Sequence, residues 1–177
     1  MRWLIMFCGF LLAGCQTADA NIFMVEAVLP PKSSYSNGFG FSYTSFTEGE
    51  IGGFGSLKSS PLSREPHYDS LSPGSFGDPQ TDRFLDFSLI NGGLTYSPTS
   101  NVGMYVGLGY GFEQEVIEQF DPTKILSSDG FYYVDGESSS GVNFTLGMIV
   151  WLNAGLSFEL GYDSYPQAIT IGLGYKF

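Results

Sequence analysis

The sequence predicts an all-β protein, a closed antiparallel transmembrane β-barrel of about eight strands preceded by a signal-peptide helix. Three observations predict it. An export segment opens the chain, apolar residues then recur at every second position, and the segments so marked can be counted to an even number.

The export segment comes first. Arg2 is followed by an apolar run from Trp3 to Gly14, long enough for the core of a signal peptide and too short to span a bilayer as a helix. Two cleavage readings compete at its end. Leu12-Ala13-Gly14-Cys15 matches a lipobox, in which Cys15 is acylated and becomes the new N-terminus. Ala18-Asp19-Ala20 offers an ordinary A-x-A site. The lipobox is set slightly ahead, and the expected division is residues 1–20 as signal and 21–177 as barrel domain. Both cysteines, Cys8 and Cys15, precede that boundary, so residues 21–177 have no disulfide or thiol chemistry.

The alternating segments follow. A first strand from Asn21 or Ile22 to Leu29 sets Phe23, Val25, Ala27 and Leu29 against Met24 and Glu26, and Pro30-Pro31 ends it. Strands near 36–46 and 50–58 share the short turn Thr47-Glu48-Gly49, and 59–82 is a long Ser-, Pro- and Asp-containing loop. In the next strand, near 83–97, Asn91-Gly92-Gly93 breaks the alternation. A bulge there is expected to bring Leu94 and Tyr96 onto the outward face. Strand 102–116 alternates Met104, Val106, Leu108, Tyr110 and Phe112 with glycines, and 117–140 is expected as a second long loop. Strands near 141–152, 155–164 and 168–177 complete the set.

Short turns after 46, 97 and 152 then fall at one end and the long loops at the other, the arrangement in which short turns face the periplasm. Small residues opposite the apolar faces suit a narrow barrel interior. Closure removes sheet edges that hydrocarbon could not tolerate.

Charge excludes one class of partner. The formal net charge is −11, and removing residues 1–20 takes away one base, Arg2, and one acid, Asp19, leaving it unchanged. A nucleic-acid partner needs the opposite sign. Glu113, Glu115, Glu118, Asp121, Asp129, Asp135 and Glu137 crowd one region. They read as a solvated acidic loop ahead of a cation site, because no fixed calcium-loop spacing is present.

The last strand, Ala168-Ile-Thr-Ile-Gly-Leu-Gly-Tyr-Lys-Phe177, carries a terminal aromatic behind alternating apolar residues. With the strand pattern of residues 21–177, it resembles the small outer-membrane β-barrel family, the OmpA/OmpX-like eight-strand type, here with a lipoprotein-type signal. The resemblance implies that Ile169, Ile171, Leu173, Tyr175 and Phe177 form the signal read by the barrel assembly machinery. It also implies periplasmic chaperones as partners, outer-membrane lipids and lipopolysaccharide around the barrel, and a monomer.

Chemistry is sparse. His67 is the only histidine, within Glu65-Pro66-His67-Tyr68-Asp69-Ser70. A Ser, a His and acids there lie in a loop, not on a rigid element, so no catalytic residue is assigned. One histidine without thiols excludes the common zinc sets, and no phosphate-binding glycine loop precedes a helix. No cofactor or metal is expected. Glu159 and Lys176 face inward on neighbouring strands, and with Glu26 they are expected to form a polar network plugging the lumen. Trp151, Tyr96, Tyr175 and Phe177 are expected at an interfacial girdle. Phe131-Tyr132-Tyr133 reads as a hairpin extension above the membrane, ahead of a contact patch.

The favoured function is a non-enzymatic barrel displaying acidic loops, in envelope structure or surface interaction. The alternatives are a narrow channel for small solutes, a lipid-modifying enzyme, and a soluble periplasmic β-rich lipoprotein tethered at Cys15.

Overall fold

A computed structural model describes residues 20–61 and 64–177. Residues 1–19 of the expected signal segment, Cys15 among them, lie outside the described residues, and Ala20 opens the first strand. Eight strands follow in order: β1 Ala20–Leu29, β2 Gly38–Phe46, β3 Ile51–Ser59, β4 Gln80–Thr99, β5 Val102–Phe120, β6 Phe131–Trp151, β7 Leu156–Asp163 and β8 Ala168–Lys176. Each pairs antiparallel with its sequence neighbour, and β1 pairs with β8 to close the barrel. The even count therefore rests on β1, whose Val25 lies opposite both Phe41 of β2 and Leu173 of β8.

Period-two alternation becomes an inside and an outside. Phe23, Phe41, Leu57, Leu94, Leu108, Leu146, Leu160 and Ile171 are exposed, at least one from every strand, and together with their neighbours they belt the barrel. Their inward neighbours, such as Ser42, Lys58, Thr145 and Thr170, are buried. A strand of ten residues rising about 3.4 Å per residue and tilted by about 45° gains roughly 24 Å of height, close to the apolar band of an outer-membrane barrel. A contiguous apolar belt of this extent has no place against water.

Three strands outgrow the wall. β4, β5 and β6 have 20, 19 and 21 residues, whereas the other five have 8 to 10. Their excess projects from one end as a three-stranded fin, at the end opposite the termini. The expected 117–140 loop is accordingly corrected to 121–130, with β5 continuing to Phe120 and β6 starting at Phe131. Beyond Phe112 and Val142 the outward apolar series stops, because the fin leaves the apolar belt and alternation loses its apolar marker. The pairing shifts between Gln114 and Val116, a bulge where wall becomes fin.

Two further expectations change. Asn91-Gly92-Gly93 pairs without interruption to Gly109, Leu108 and Gly107, so no bulge is present. Ile90, Leu94 and Tyr96 share one outward phase throughout. The apparent break arises because Phe87 and Leu89 point inward to an apolar layer with Val28 and Ala168. Trp151 belongs to no girdle: it is buried inside, stacked on Phe46 with ring centroids 5.1 Å apart. Tyr96, Tyr175 and Phe177 are exposed near the termini end.

Candidate functional site: an occluded lumen beneath a fin

Small inward residues make room for large ones from other strands. A Cβ at Gly103 would collide with the Phe46 ring, and one at Gly147 or Gly161 with the Tyr105 hydroxyl. These sockets let the termini end of the lumen fill with Ile22, Met24, Phe46, Phe54, Tyr105, Ile149 and Trp151. At the fin end Val28, Phe87, Leu89 and Ala168 form a second apolar layer, over which Tyr35 and Tyr165 pack.

Between the two lies a polar layer. Lys58 Nζ stands 2.8 Å from Asp163 Oδ2 and 3.2 Å from Glu26 Oε2, and donates to Thr170 Oγ1 at 2.9 Å. Asp163 Oδ1 accepts from Asn143 Nδ2 at 2.8 Å and from Asn91 Nδ2 at 3.3 Å. Asn143 also donates to Asn91 Oδ1 at 2.8 Å, and Asn91 to Ser56 Oγ at 3.1 Å. Glu159 accepts from the Tyr105 hydroxyl at 2.6 Å. The paired Lys58, Glu26 and Asp163 side chains are at most 2% exposed. A buried ammonium is tolerable only with such partners.

Of the three lumen residues expected from sequence, Glu26 and Glu159 are inside this layer and Lys176 is not. Lys176 sits near the end of β8, its ammonium 5.9 Å from the Trp151 ring centroid. The cation of the layer is Lys58, on a glycine-rich strand whose phase was hard to read. One signal was available: Leu57 is apolar and next to it, so a Leu57 facing out puts Lys58 inside. Asp163 and Asn143 were placed by parity with their apolar neighbours, whereas Asn91 lay where the alternation was read as broken.

The fin is built as carefully as the lumen. Ile117, Tyr132 and Val134 form an apolar patch on it, covered by Tyr68 and Leu71 from the loop 64–79 and by Leu126 from the loop 121–130. Tyr68 donates to Leu126 O at 2.6 Å and Tyr132 to Asp78 Oδ2 at 2.9 Å. Burial, then the Asp78 bond, pushes the Tyr132 phenol up to about 12. Asp121 organises the tip: its carboxylate accepts from the Thr123 hydroxyl and from the amides of Thr123, Ile125 and Leu126. The Thr123 hydroxyl foremost, with those amides, draws its pKa down to about 2. Most of the crowded acids are thus engaged locally: Glu113 accepts from Tyr35, Glu115 pairs with Arg83, and Glu118 accepts from Tyr133.

His67 faces carboxylates, Asp135 at 3.1 Å and Asp69 at 3.7 Å. Both partners are carboxylates, with no hydroxyl or thiol among them. The residues of the terminal strand, Ile169, Ile171, Leu173, Tyr175 and Phe177, all point outward.

No protein-family model matches the sequence, and no curated protein is similar to it. Solved structures do match. The crystal structure of Ail, the attachment invasion locus protein of Yersinia pestis, superposes with a TM-score of 0.58 at 13% identity, covering 89% of this chain and 97% of that one. Ail in complex with the heparin analogue sucrose octasulfate gives 0.56 at 14% identity, with the same coverage. The backbone structure of Ail in a phospholipid nanodisc gives 0.52 at 14% identity, covering 89% and 99%. The fold is that of the eight-stranded outer-membrane β-barrels.

Proposed function

We propose that the chain is an integral, non-enzymatic protein of the outer membrane whose business is at the cell surface. The observation that carries this reading is the contrast between its two halves. The lumen is filled by apolar layers above and below a polar one centred on the Lys58 ion pairs. The fin and the loops 64–79 and 121–130 project together from one end. An interior filled with buried side chains favours a support over a conduit, and an elaborated outer end favours contact.

In this reading the termini and the three short turns lie in the periplasm and the fin outside. The apolar belt faces outer-membrane lipid, with lipopolysaccharide around the outer rim, and the outward residues from Ile169 to Phe177 address the assembly machinery after periplasmic chaperones deliver the chain. The barrel works as a monomer, since closure leaves its wall without unpaired edges. Ail, whose name is attachment invasion locus protein, is a similar barrel, and that likeness supports surface attachment or envelope structure as the role.

Protease treatment of intact expressing cells tests the orientation, and planar-bilayer recording of the purified barrel tests the closed lumen. Cleavage within 64–79 or 121–130 and no stable conductance steps are expected. Protection of both loops in intact cells, or steady ion-selective steps, would overturn the proposal.

A further inference from the structure

Where the outer loop meets the fin, two backbone hydrogen bonds bracket the single histidine. Tyr68 N donates to Tyr133 O at 2.9 Å and Tyr133 N donates to Pro66 O at 3.0 Å, so the loop runs beside β6 for one bridge centred on His67. His67 Nε2 then lies 3.1 Å from Asp135 Oδ1 of β6 and 3.7 Å from Asp69 Oδ1 of its own loop. The three ligand atoms all fall within 4.8 Å of one another.

These separations have a metric meaning. Nitrogen and oxygen ligands held tetrahedrally at about 2.0–2.1 Å from Zn²⁺ are roughly 3.3 Å apart. The two measured separations bracket that value, so small side-chain rotations would seat one ion among the three atoms. We propose that His67, Asp69 and Asp135 form a site for a divalent transition-metal cation, with Zn²⁺, which takes both imidazole and carboxylate ligands, as its probe. A metal site departs from the expectation of none, which rested on a single histidine and the lack of thiols after residue 20. That expectation could not foresee that β6 brings Asp135 to a loop 68 residues away in sequence.

Partial exposure fits this assignment. The Asp69 side chain is 86% exposed, whereas those of His67 and Asp135 are 22% and 40% exposed. An incoming ion would find two ligands partly ordered and recruit the third, with water completing its coordination. The surplus of acids over bases in the chain favours cation approach. Because His67 and Asp69 belong to the loop and Asp135 to the fin, an ion held there ties the two together.

The test uses the untagged barrel in detergent micelles, titrated with ZnCl₂ by calorimetry and by NMR of the imidazole. His67 is the only histidine, so its ring resonances report this site alone. One ion per chain is expected, with His67 resonances moving in step with the heat. His67→Ala and Asp135→Asn should each weaken binding at least tenfold while retaining heat-modifiable migration. Zn²⁺ should also slow proteolysis of the 64–79 loop in the native chain and not in His67→Ala. Unchanged Zn²⁺ affinity in His67→Ala, motionless imidazole resonances, or displacement by millimolar Mg²⁺ would overturn the assignment, the last by showing diffuse attraction to an acidic surface.

Discussion

Replacing Lys58 with Met should destabilise the folded barrel by about 3–5 kcal/mol, the usual cost of removing one partner from a buried ion pair. The structure sets the scale. Lys58 Nζ is within 3.2 Å of Glu26 and 2.8 Å of Asp163, and none of the three side chains is more than 2% exposed. Methionine fills similar volume, so the change tests charge and leaves packing nearly intact. It strands two carboxylates in a lumen sealed by apolar layers at both ends. If the loss comes from stranded charge, neutralising the partners should reverse it. Lys58→Met combined with Glu26→Gln and Asp163→Asn should therefore recover all but about 1–2 kcal/mol. The assay is reversible urea unfolding in lipid vesicles, followed by the fluorescence of Trp151, which is buried in the lumen. A single variant within about 1 kcal/mol of the parent, or a triple variant no better than the single, would refute the buried-pair argument.

Three further outcomes follow from the same geometry. Gly161→Val places branched carbons where the Tyr105 hydroxyl now sits, and should cost about 1–3 kcal/mol by overpacking, read in the same unfolding assay and relieved by adding Tyr105→Ala. Leu146→Arg, on the belt, should cost about 2–4 kcal/mol, whereas Ser138→Arg on the exposed fin should stay within about 0.5 kcal/mol. Equal effects would remove the distinction between belt and fin. Asp121, held down to about 2 when folded against an ordinary 3.8, stabilises its loop fully above about pH 4 and loses that contribution as pH falls through about 2. Amide exchange at Ile125 and Leu126, which bond its carboxylate, should accelerate over that window and be fast at every pH in Asp121→Ala.

The barrel wall was legible because a membrane makes alternation unusually explicit. Where lipid lies outside and a packed lumen inside, each pair such as Leu146 and Thr145 declares its side. Strand number, turn positions and the inward placement of Glu26 and Glu159 all came from that rule. It failed wherever a surface changed character. Phe87, Leu89 and Trp151 are apolar yet inward, because the ends of the lumen are lined by apolar layers. Beyond Phe112 and Val142 the strands leave the belt, so Ile117 to Phe120 and Phe131 to Ser140 read as a loop although they belong to β5 and β6. Lys58 was hidden by its own strand, where Gly52, Gly53 and Gly55 gave no phase. The His67, Asp69 and Asp135 group needed tertiary structure, since its parts meet only when loop 64–79 folds back onto β6.

The central claim is that these strands cross a membrane. Expression of the Cys15→Ala chain in a Gram-negative host removes any acyl anchor, and washing its envelopes with alkaline carbonate and with urea then asks what holds the protein. The account predicts that it stays in the membrane pellet and migrates faster before boiling than after. Release into the wash, with no change of mobility on heating, would contradict it.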